Sequence, residues 1–258
     1  MIERVKVALT REVSAAMARC ELTHLARVPI DVDVARAQHA AYERALADAG
    51  YRVERLPADD DVPDAVFVED IALVFAELAI VTRPGAASRR AEIPAVADAL
   101  RRYRPVAAIE APGTVDGGDV LTIGKRVFVG ASTRTNADGI AQLRRLLAPH
   151  GYAVHDVVVR GCLHLKSAVT AAADDVLVVN PAWIPADAFA GFEQIAIDPH
   201  EPMAANVVRL ADRLIVASAF ARTADRLAAR GFDLVRVDAS ELAKAEGAVT
   251  CCSIILED

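Results

Sequence analysis

The chain has no run approaching the ~18 consecutive apolar residues that a membrane-spanning helix needs, although 54% of its 258 residues are hydrophobic. Alanine supplies much of that fraction, and the remainder is spread over short runs. The start, Met1-Ile2-Glu3-Arg4-Val5-Lys6, lacks the charged-then-apolar order of a secretory signal, so the expected compartment is the cytoplasm. Paired CxxC spacing is missing as well. Cys20, Cys162, Cys251 and Cys252 therefore read as thiols, not as a zinc knuckle or a thioredoxin-type pair. Neither GxGxxG nor a Walker lysine motif occurs, which removes the usual signatures of dinucleotide and phosphate-loop sites. Basic residues are also in deficit. A net charge of −7 disfavours a nucleic-acid partner, and the pairs Arg89-Arg90 and Arg101-Arg102 read as solvated helix faces. Clustered acids favour a small cation instead.

What is present is a recurring unit: an apolar strand, a short polar turn, a second apolar strand and, in most copies, an amphipathic helix. Strands are expected at Val66 to Phe75 and Leu78 to Thr82, with a helix around Ile93 to Tyr103. The next copy runs from Gly118 to Ile123 and Val127 to Gly130 into a helix at Asn136 to His150, whose Ile140, Leu143, Leu146 and Leu147 share one face. A third pair spans His164 to Ala171 and Val176 to Asn180. A fourth spans Asn206 to Leu210 and Leu214 to Ser218, with the turn at Ala211-Asp212-Arg213 and a helix through Thr223 to Arg230. The fifth copy is split between Cys252 to Leu256 at one end and Val5 to Leu9, with a helix at Val34 to Ala49, at the other. A repeat of roughly 40 to 50 residues suggests a closed array in which each unit buries its face on its neighbours. Such closure would join the two ends of one domain, residues 1–258. Tight strand-turn-strand pairs favour antiparallel hairpins over a purely parallel sheet.

Three separated segments carry candidate chemistry. Cys251 lies in Thr250-Cys251-Cys252-Ser253 and His164 in Leu163-His164-Leu165-Lys166, while acids cluster at Asp64 to Asp70 and in Asp116-Gly117-Gly118-Asp119. A thiol and an imidazole can form a nucleophile and proton shuttle, with an acid orienting the ring. Read alone, each has a structural alternative: a buried cysteine, a core histidine, an acidic turn.

Phe67-Val68-Glu69-Asp70, Thr82 to Arg90, Gly113 to Asp119, Arg134-Thr135-Asn136, Leu163 to Lys166 and Thr250 to Ser253 occur together and in order over nearly the whole chain. In this the sequence resembles the dimethylarginine dimethylaminohydrolase family. The resemblance implies a pentein, a five-bladed α/β propeller of ββαβ repeats with a central active site and no metal or organic cofactor. It implies Cys251 as nucleophile, His164 as general acid and base, and Asp116 as the carboxylate orienting the ring. Asp64, Glu69 and Asp70 match substrate contacts; two adjacent residues of a strand face opposite ways, so only one of Glu69 and Asp70 is expected on the guanidinium. Arg89 and Arg134 match residues that take the substrate's α-carboxylate, and Leu22 and Ala245 touch the amino-acid end through backbone carbonyls. Glu246 stands where the family carries Asp, at a position expected to act through its main chain. The implied activity is hydrolysis of methylated arginine to citrulline and an amine, with a small-molecule partner, no nucleic acid and no membrane. Arginine deiminase or amidinotransferase-like chemistry and a non-catalytic binding pentein are the alternatives, and a homodimer is left open.

Overall fold

In the computed structural model, which describes residues 6–58, 61–211 and 213–257, short strands pair into five separate three-stranded sheets. Val5 and Asp212, assigned above to a strand and a turn, lie outside the described residues, as does Met1 to Val5 of the stretch read for a leader. The chain opens with β1 (Lys6–Arg11), helix α1 (Val32–Asp48) and β2 (Arg52–Leu56). The next unit is β3 (Ala72–Val74), β4 (Ala79–Val81), α2 (Ile93–Leu100) and β5 (Val106–Ala108). It is followed by β6 (Val120–Ile123), β7 (Arg126–Ala131), α3 (Ala137–Leu147) and β8 (Ala153–Val158). A short helix α4 (Leu165–Ala168) leads to β9 (Val169–Ala171), β10 (Val176–Val179) and β11 (Glu193–Ala196). Then come β12 (Val208–Leu210), β13 (Arg213–Ala217), α5 (Ala221–Ala229) and β14 (Asp233–Val237), and finally α6 (Ser240–Ala243) and β15 (Ile254–Glu257).

Every sheet repeats one pattern: its central strand pairs antiparallel with the preceding strand and parallel with the strand after the crossover. The terminal unit obeys the same rule with its first strand taken from the other end of the chain, β15 against β1 antiparallel and β1 against β2 parallel. The ring is thus closed by the termini, as the split repeat predicts. Four units are ββαβ; the β10 to β11 connection has no helix, because Pro181, Pro185 and Gly191 interrupt it.

The core lies between the blades. Because strand side chains alternate, Ala79 and Val81 pack toward the strands of the terminal unit while Ile80 packs toward the next unit, and the same alternation recurs round the ring. Strands buried on both faces are apolar throughout, which is why they read as short continuous runs. The helices cover the outside; α1 turns Ala35, Gln38, His39, Tyr42, Ala45 and Leu46 inward at helical spacing, and its first turn is capped by Asp31. Among the described residues no helix is long and apolar enough to cross a membrane.

The expected inner strands are shorter than the apolar runs. In four of the five units a helical turn replaces the start of the strand: Val68–Ile71, Gly117–Asp119, Leu165–Ala168 and Thr250–Cys252. These turns, with the residues that cap them, hold Glu69, Asp70, Asp116, His164 and Cys251. Leu256 in β15 is fully buried between blades, so Leu256→Ala should lower stability by about 2–5 kcal/mol in urea unfolding. A loss below about 1 kcal/mol would contradict closure of the ring through this strand.

Candidate active site

The inner helical turns are tied to one another across blade boundaries. The amide of Gly118 donates to Asp70 Oδ1 (2.9 Å) and that of Leu165 to Asp119 Oδ1 (3.0 Å). Thr170 Oγ1 donates to the carbonyl of Ala205 (2.6 Å), the Thr250 amide to Asn206 Oδ1 (3.0 Å), and Thr250 Oγ1 to Glu69 Oε2 (2.8 Å), which returns to the first of these turns. Five blades are joined in sequence and closed by five side-chain bonds. Polar residues in an otherwise apolar barrel centre are satisfied this way, and their side chains are aimed by it.

His164, Asp116 and Asp70 converge inside the ring. The Nε2 of His164 is 3.1 Å from Asp116 Oδ2, and its Nδ1 is 3.9 Å from Asp70 Oδ1. Asp116 is fully buried and held by the Gly85 amide (2.8 Å to Oδ1), while its own amide donates to Thr135 Oγ1 (3.1 Å). The glycines between Asp116 and Asp119 are required by space. A Cβ on Gly118 would lie 2.6 Å from the His164 ring, and one on Gly117 would lie 2.0 Å from the carbonyl of Glu69. Burial disfavours the imidazolium, but the charges of Asp70, Asp119 and Asp116 and the bond to Asp116 outweigh it and raise His164 to about 9. Burial also pushes Asp70 upward, yet His164 and Arg89 overcome that and hold its carboxylate below the usual range. For Cys251, burial and the negative charges of Glu69 and Asp70 act together, raising the thiol to about 12. At neutral pH the unliganded site therefore holds a neutral thiol and a protonated histidine.

Cys251 and His164 line one small cavity at the mouth of the ring, together with Glu21, Asp64, Phe67, Asp70, Arg89, Arg134, Leu163, Ala245, Glu246 and Gly247. The structure thus brings Cys251, His164, Asp64, Asp70, Arg89, Arg134 and Ala245 together, with Asp116 directly behind the imidazole. Asp64 is held by the amide of Glu21 (3.1 Å), and burial raises its carboxyl to about 6 despite the nearby Arg89.

Other expected positions differ. Glu69 does not line this cavity; it pairs with Lys166 Nζ at 2.5 Å and borders a separate cavity of about 340 Å³ between the inner strands. The 3₁₀ turn explains the separation, since it rotates each successive residue by about 120° and so parts Glu69 from Asp70. Arg89 borders the cavity, but its guanidinium is committed to protein. Nε and Nη2 form a fork to Glu92 (2.9 and 2.8 Å), Nη2 also reaches the Phe67 carbonyl (2.9 Å), and Nη1 meets Asp70 (2.5 Å). Its planar fork is therefore spent on Glu92. Leu22 is absent from the lining and packs its side chain on the apolar layer around Met17 and Val249. The Glu246 carboxylate accepts the backbone amides of Thr23, His24 and Leu25, a side-chain role beside the main-chain contact expected.

Asp119, Glu92 and Glu21 were not singled out by the sequence. Asp119 follows Asp116 by three residues, the spacing that brings two side chains to one side of a 3₁₀ turn; Glu92 follows Arg89 by three and was equally available as an ion pair. Asp70, Asp116 and His164 could in principle ligate a cation, their nearest donor atoms lying within 4.8 Å of one another. Their oxygens are instead engaged by Gly118, Arg89, Gly85 and His164.

A five-bladed ring of this topology is a pentein, and its mouth holds a thiol, an imidazole and carboxylates in the arrangement suited to a guanidinium. The arginine deiminase family model matches residues 94–201. The N(G),N(G)-dimethylarginine dimethylaminohydrolase of Streptomyces coelicolor is 42% identical over 255 residues, covering 98% of both chains. A dimethylarginine dimethylaminohydrolase structure, a histidine-to-glycine variant in adduct with S-methyl-L-thiocitrulline, matches with a TM-score of 0.93 at 34% identity over 98% of this chain and 100% of that one. A cysteine-to-serine variant of the Pseudomonas aeruginosa enzyme, complexed with citrulline, matches at 0.91, again at 34% identity and with the same coverage of 98% and 100%. The chain belongs to the dimethylarginine dimethylaminohydrolase family.

The electrostatic assignment is testable on the ring itself. His164 should titrate near 9 in an NMR titration, and Asp116→Asn should lower that value because a negative charge favouring the imidazolium is gone. An unchanged titration in the variant would contradict the Asp116 contact.

Proposed function

We propose that the chain is one catalytic domain, residues 1–258, that hydrolyses methylated arginine to citrulline and methylamine or dimethylamine through a covalent bond to Cys251. The observation that carries this reading is the buried cavity where Cys251, His164 and the carboxylates of Asp64 and Asp70 meet. The printed ligands of the related structures, citrulline and a thiocitrulline adduct, agree with it.

The chemistry follows from the charges. Asp70 receives the substrate guanidinium, a cation at neutral pH, and the cation beside Cys251 offsets the charges of Glu69 and Asp70 that oppose thiolate formation. The Cys251 proton passes to bulk water as the cation settles. The thiolate then attacks the central guanidinium carbon. The departing amine is a poor anion, so His164, held protonated by its three acidic neighbours, gives it a proton as the carbon-nitrogen bond breaks. A thiouronium on Cys251 and a free amine result. Neutral His164 next removes a proton from water and the hydroxide adds to the same carbon; as the carbon-sulfur bond breaks, the departing thiolate takes up the remaining hydroxyl proton, which leaves citrulline and restores the Cys251 thiol and the His164 imidazolium. Asp116 fixes the ring by its bond to Nε2 and sustains the imidazolium.

At the other end of the substrate, Asp64 receives the α-ammonium in this reading, with the Leu22 and Ala245 carbonyls as the main-chain contacts that the family resemblance implies. Arg134, whose Nη2 is 2.9 Å from Thr23 Oγ1 at the cavity mouth, supplies the main α-carboxylate contact, and Arg89 borders the cavity beside it. Glu69 supports the site from behind through Thr250, next to the nucleophile.

The match to the arginine deiminase family model keeps unmethylated arginine as a second substrate to be tested. In a panel of dimethylarginine, monomethylarginine and arginine, the methylated substrates should be turned over fastest with equimolar citrulline and amine. Acid quench during turnover should leave the substrate-derived mass on Cys251, and Cys251→Ser should abolish turnover while Cys252→Ser retains most of it. Faster turnover of arginine would replace the methylated substrate, and an adduct on Cys252 would replace the nucleophile.

A further inference from the structure

His164 and Cys251 line one cavity, but they come from blades that are not neighbours. The blade of β12 stands between them, bonded on one side to β9 through Thr170 and on the other to the turn before β15 through Thr250. Unlike the other four units, it has no helical turn at the start of its inner strand. What it brings to the axis is the side chain of Asn206, which is buried and does not line the cavity of Cys251.

The carboxamide of Asn206 is bonded on three sides. Its Nδ2 donates to the carbonyl of Lys166 (3.0 Å) and to Thr250 Oγ1 (2.9 Å), and its Oδ1 accepts the Thr250 amide (3.0 Å). These partners fix its orientation, since a carbonyl can only accept and an amide N–H can only donate. Lys166 lies two residues after His164, and Thr250 directly precedes Cys251. Two of the bonds also satisfy main-chain groups that short helical turns leave open, the first N–H of the turn Thr250–Cys252 and a carbonyl of α4. One planar amide thus spans from the turn of the general acid to the turn of the nucleophile.

The same amide sets the direction of the bonds beyond it. Because Thr250 Oγ1 accepts from Asn206, its own hydrogen goes to Glu69 Oε2 (2.8 Å), and Glu69 Oε1 takes Lys166 Nζ (2.5 Å). Asn206, Thr250, Glu69 and Lys166 therefore close a ring of bonds drawn from four blades, and a shift of either turn must break a member of it.

We propose that Asn206 is a positioning residue of the reaction: its carboxamide clamps the His164 turn to the Cys251 turn across the blade that separates them, and so fixes the general acid against the nucleophile. The clamp needs a donor toward Lys166 and an acceptor toward Thr250 in one group. It stands on the three hydrogen bonds; its consequence for turnover rests on the function proposed above.

Two substitutions test it. Asn206→Ala removes all three bonds, whereas Asn206→Asp keeps the shape and the acceptor. Ionised, the introduced carboxylate turns an oxygen toward the Lys166 carbonyl; protonated, its hydroxyl donates there as the amide does. Burial raises such a carboxyl above the ordinary range, so the competent, protonated form gains as pH falls. In Asn206→Ala, kcat for dimethylarginine should fall about 10- to 100-fold, the order of loss from an ångström-scale misplacement of reacting groups. KM should stay within about twofold, because no substrate contact is removed. In Asn206→Asp the ratio of parent to variant kcat should shrink as pH falls; taking the ratio at each pH cancels the titrations of Cys251 and His164 that both proteins share. A crystal structure of Asn206→Ala should show the Cys251 turn displaced from the His164 turn with the blade strands in place. Unchanged kcat in Asn206→Ala overturns the proposal, and so does a Cys251 turn that has not moved. A pH-independent loss in both variants, accompanied by a lowered melting temperature, would make Asn206 a part of the fold alone and overturns it as well. A displaced turn in a protein that does not act on methylated arginine would sink the substrate reading and leave the clamp standing.

Discussion

The site depends on one constraint: five short blades must each end at the axis in a way that satisfies the polar groups brought there. Asp70, Asp119, Thr170, Asn206 and Thr250 each bond to the neighbouring blade, and the last link returns to Glu69 at the first. A buried donor or acceptor without a partner costs about 1–3 kcal/mol, so breaking one link strands groups on two blades at once. The same residues, or their immediate neighbours in sequence, are the ones proposed to do the chemistry. Glu69 precedes Asp70, Asp116 and Asp119 flank the glycine pair, His164 caps α4, and Cys251 follows Thr250. Structural closure and catalytic geometry are therefore set by one group of turns, and this ties the nucleophile at one end of the chain to acids near its start.

A second constraint is electrostatic. Asp70 lies between two cations, Arg89 at 2.5 Å and His164 at 3.9 Å. Arg89 is fully enclosed and is itself neutralised by Glu92. Such a buried network is favourable only when every charge has its partner; here it fixes an ionised Asp70 facing the cavity and a protonated His164 beside it. What is left without stabilisation is the thiolate. Burial and two acids raise the Cys251 thiol, so in the proposed mechanism the nucleophile forms only when a substrate of the right charge is beside it. Across the gap the Glu69 to Lys166 pair separates the nucleophile's surroundings from the cavity between the inner strands.

Much of this was legible in the sequence because the fold repeats. Five apolar pairs at similar spacing, one of them divided between the ends, imply a closed ring, and the pairing of β15 with β1 and β1 with β2 realises that division. The Cys, His and Asp positions were legible from their motifs. The inner turns were not, because Val68 to Val74 and Leu165 to Ala171 are apolar enough to read as strands, and only bonds from other blades favour a helical turn over strand pairing there. The same gap hid the destination of Glu69, whose partners Lys166 and Thr250 lie 97 and 181 residues away. Arg89 was placed on the substrate carboxylate by the family resemblance; its pair with Glu92 was available at local spacing, whereas its bond to Asp70, 19 residues away, was not. Glu246 was undervalued for a related reason: its acceptors' partners are backbone amides more than 220 residues earlier, and backbone donors leave no mark in a sequence.

The central claim is that the buried acids keep Cys251 neutral until a guanidinium-like cation enters beside it. The most direct measurement is the ultraviolet absorbance of the thiolate, taken as the difference between the protein and its Cys251→Ser variant at neutral pH, with and without a saturating unreactive amidinium amino acid. The account predicts no thiolate signal in the free protein and a signal approaching one thiolate per chain in the complex. A full thiolate signal without the ligand, or none with it bound, would contradict the account.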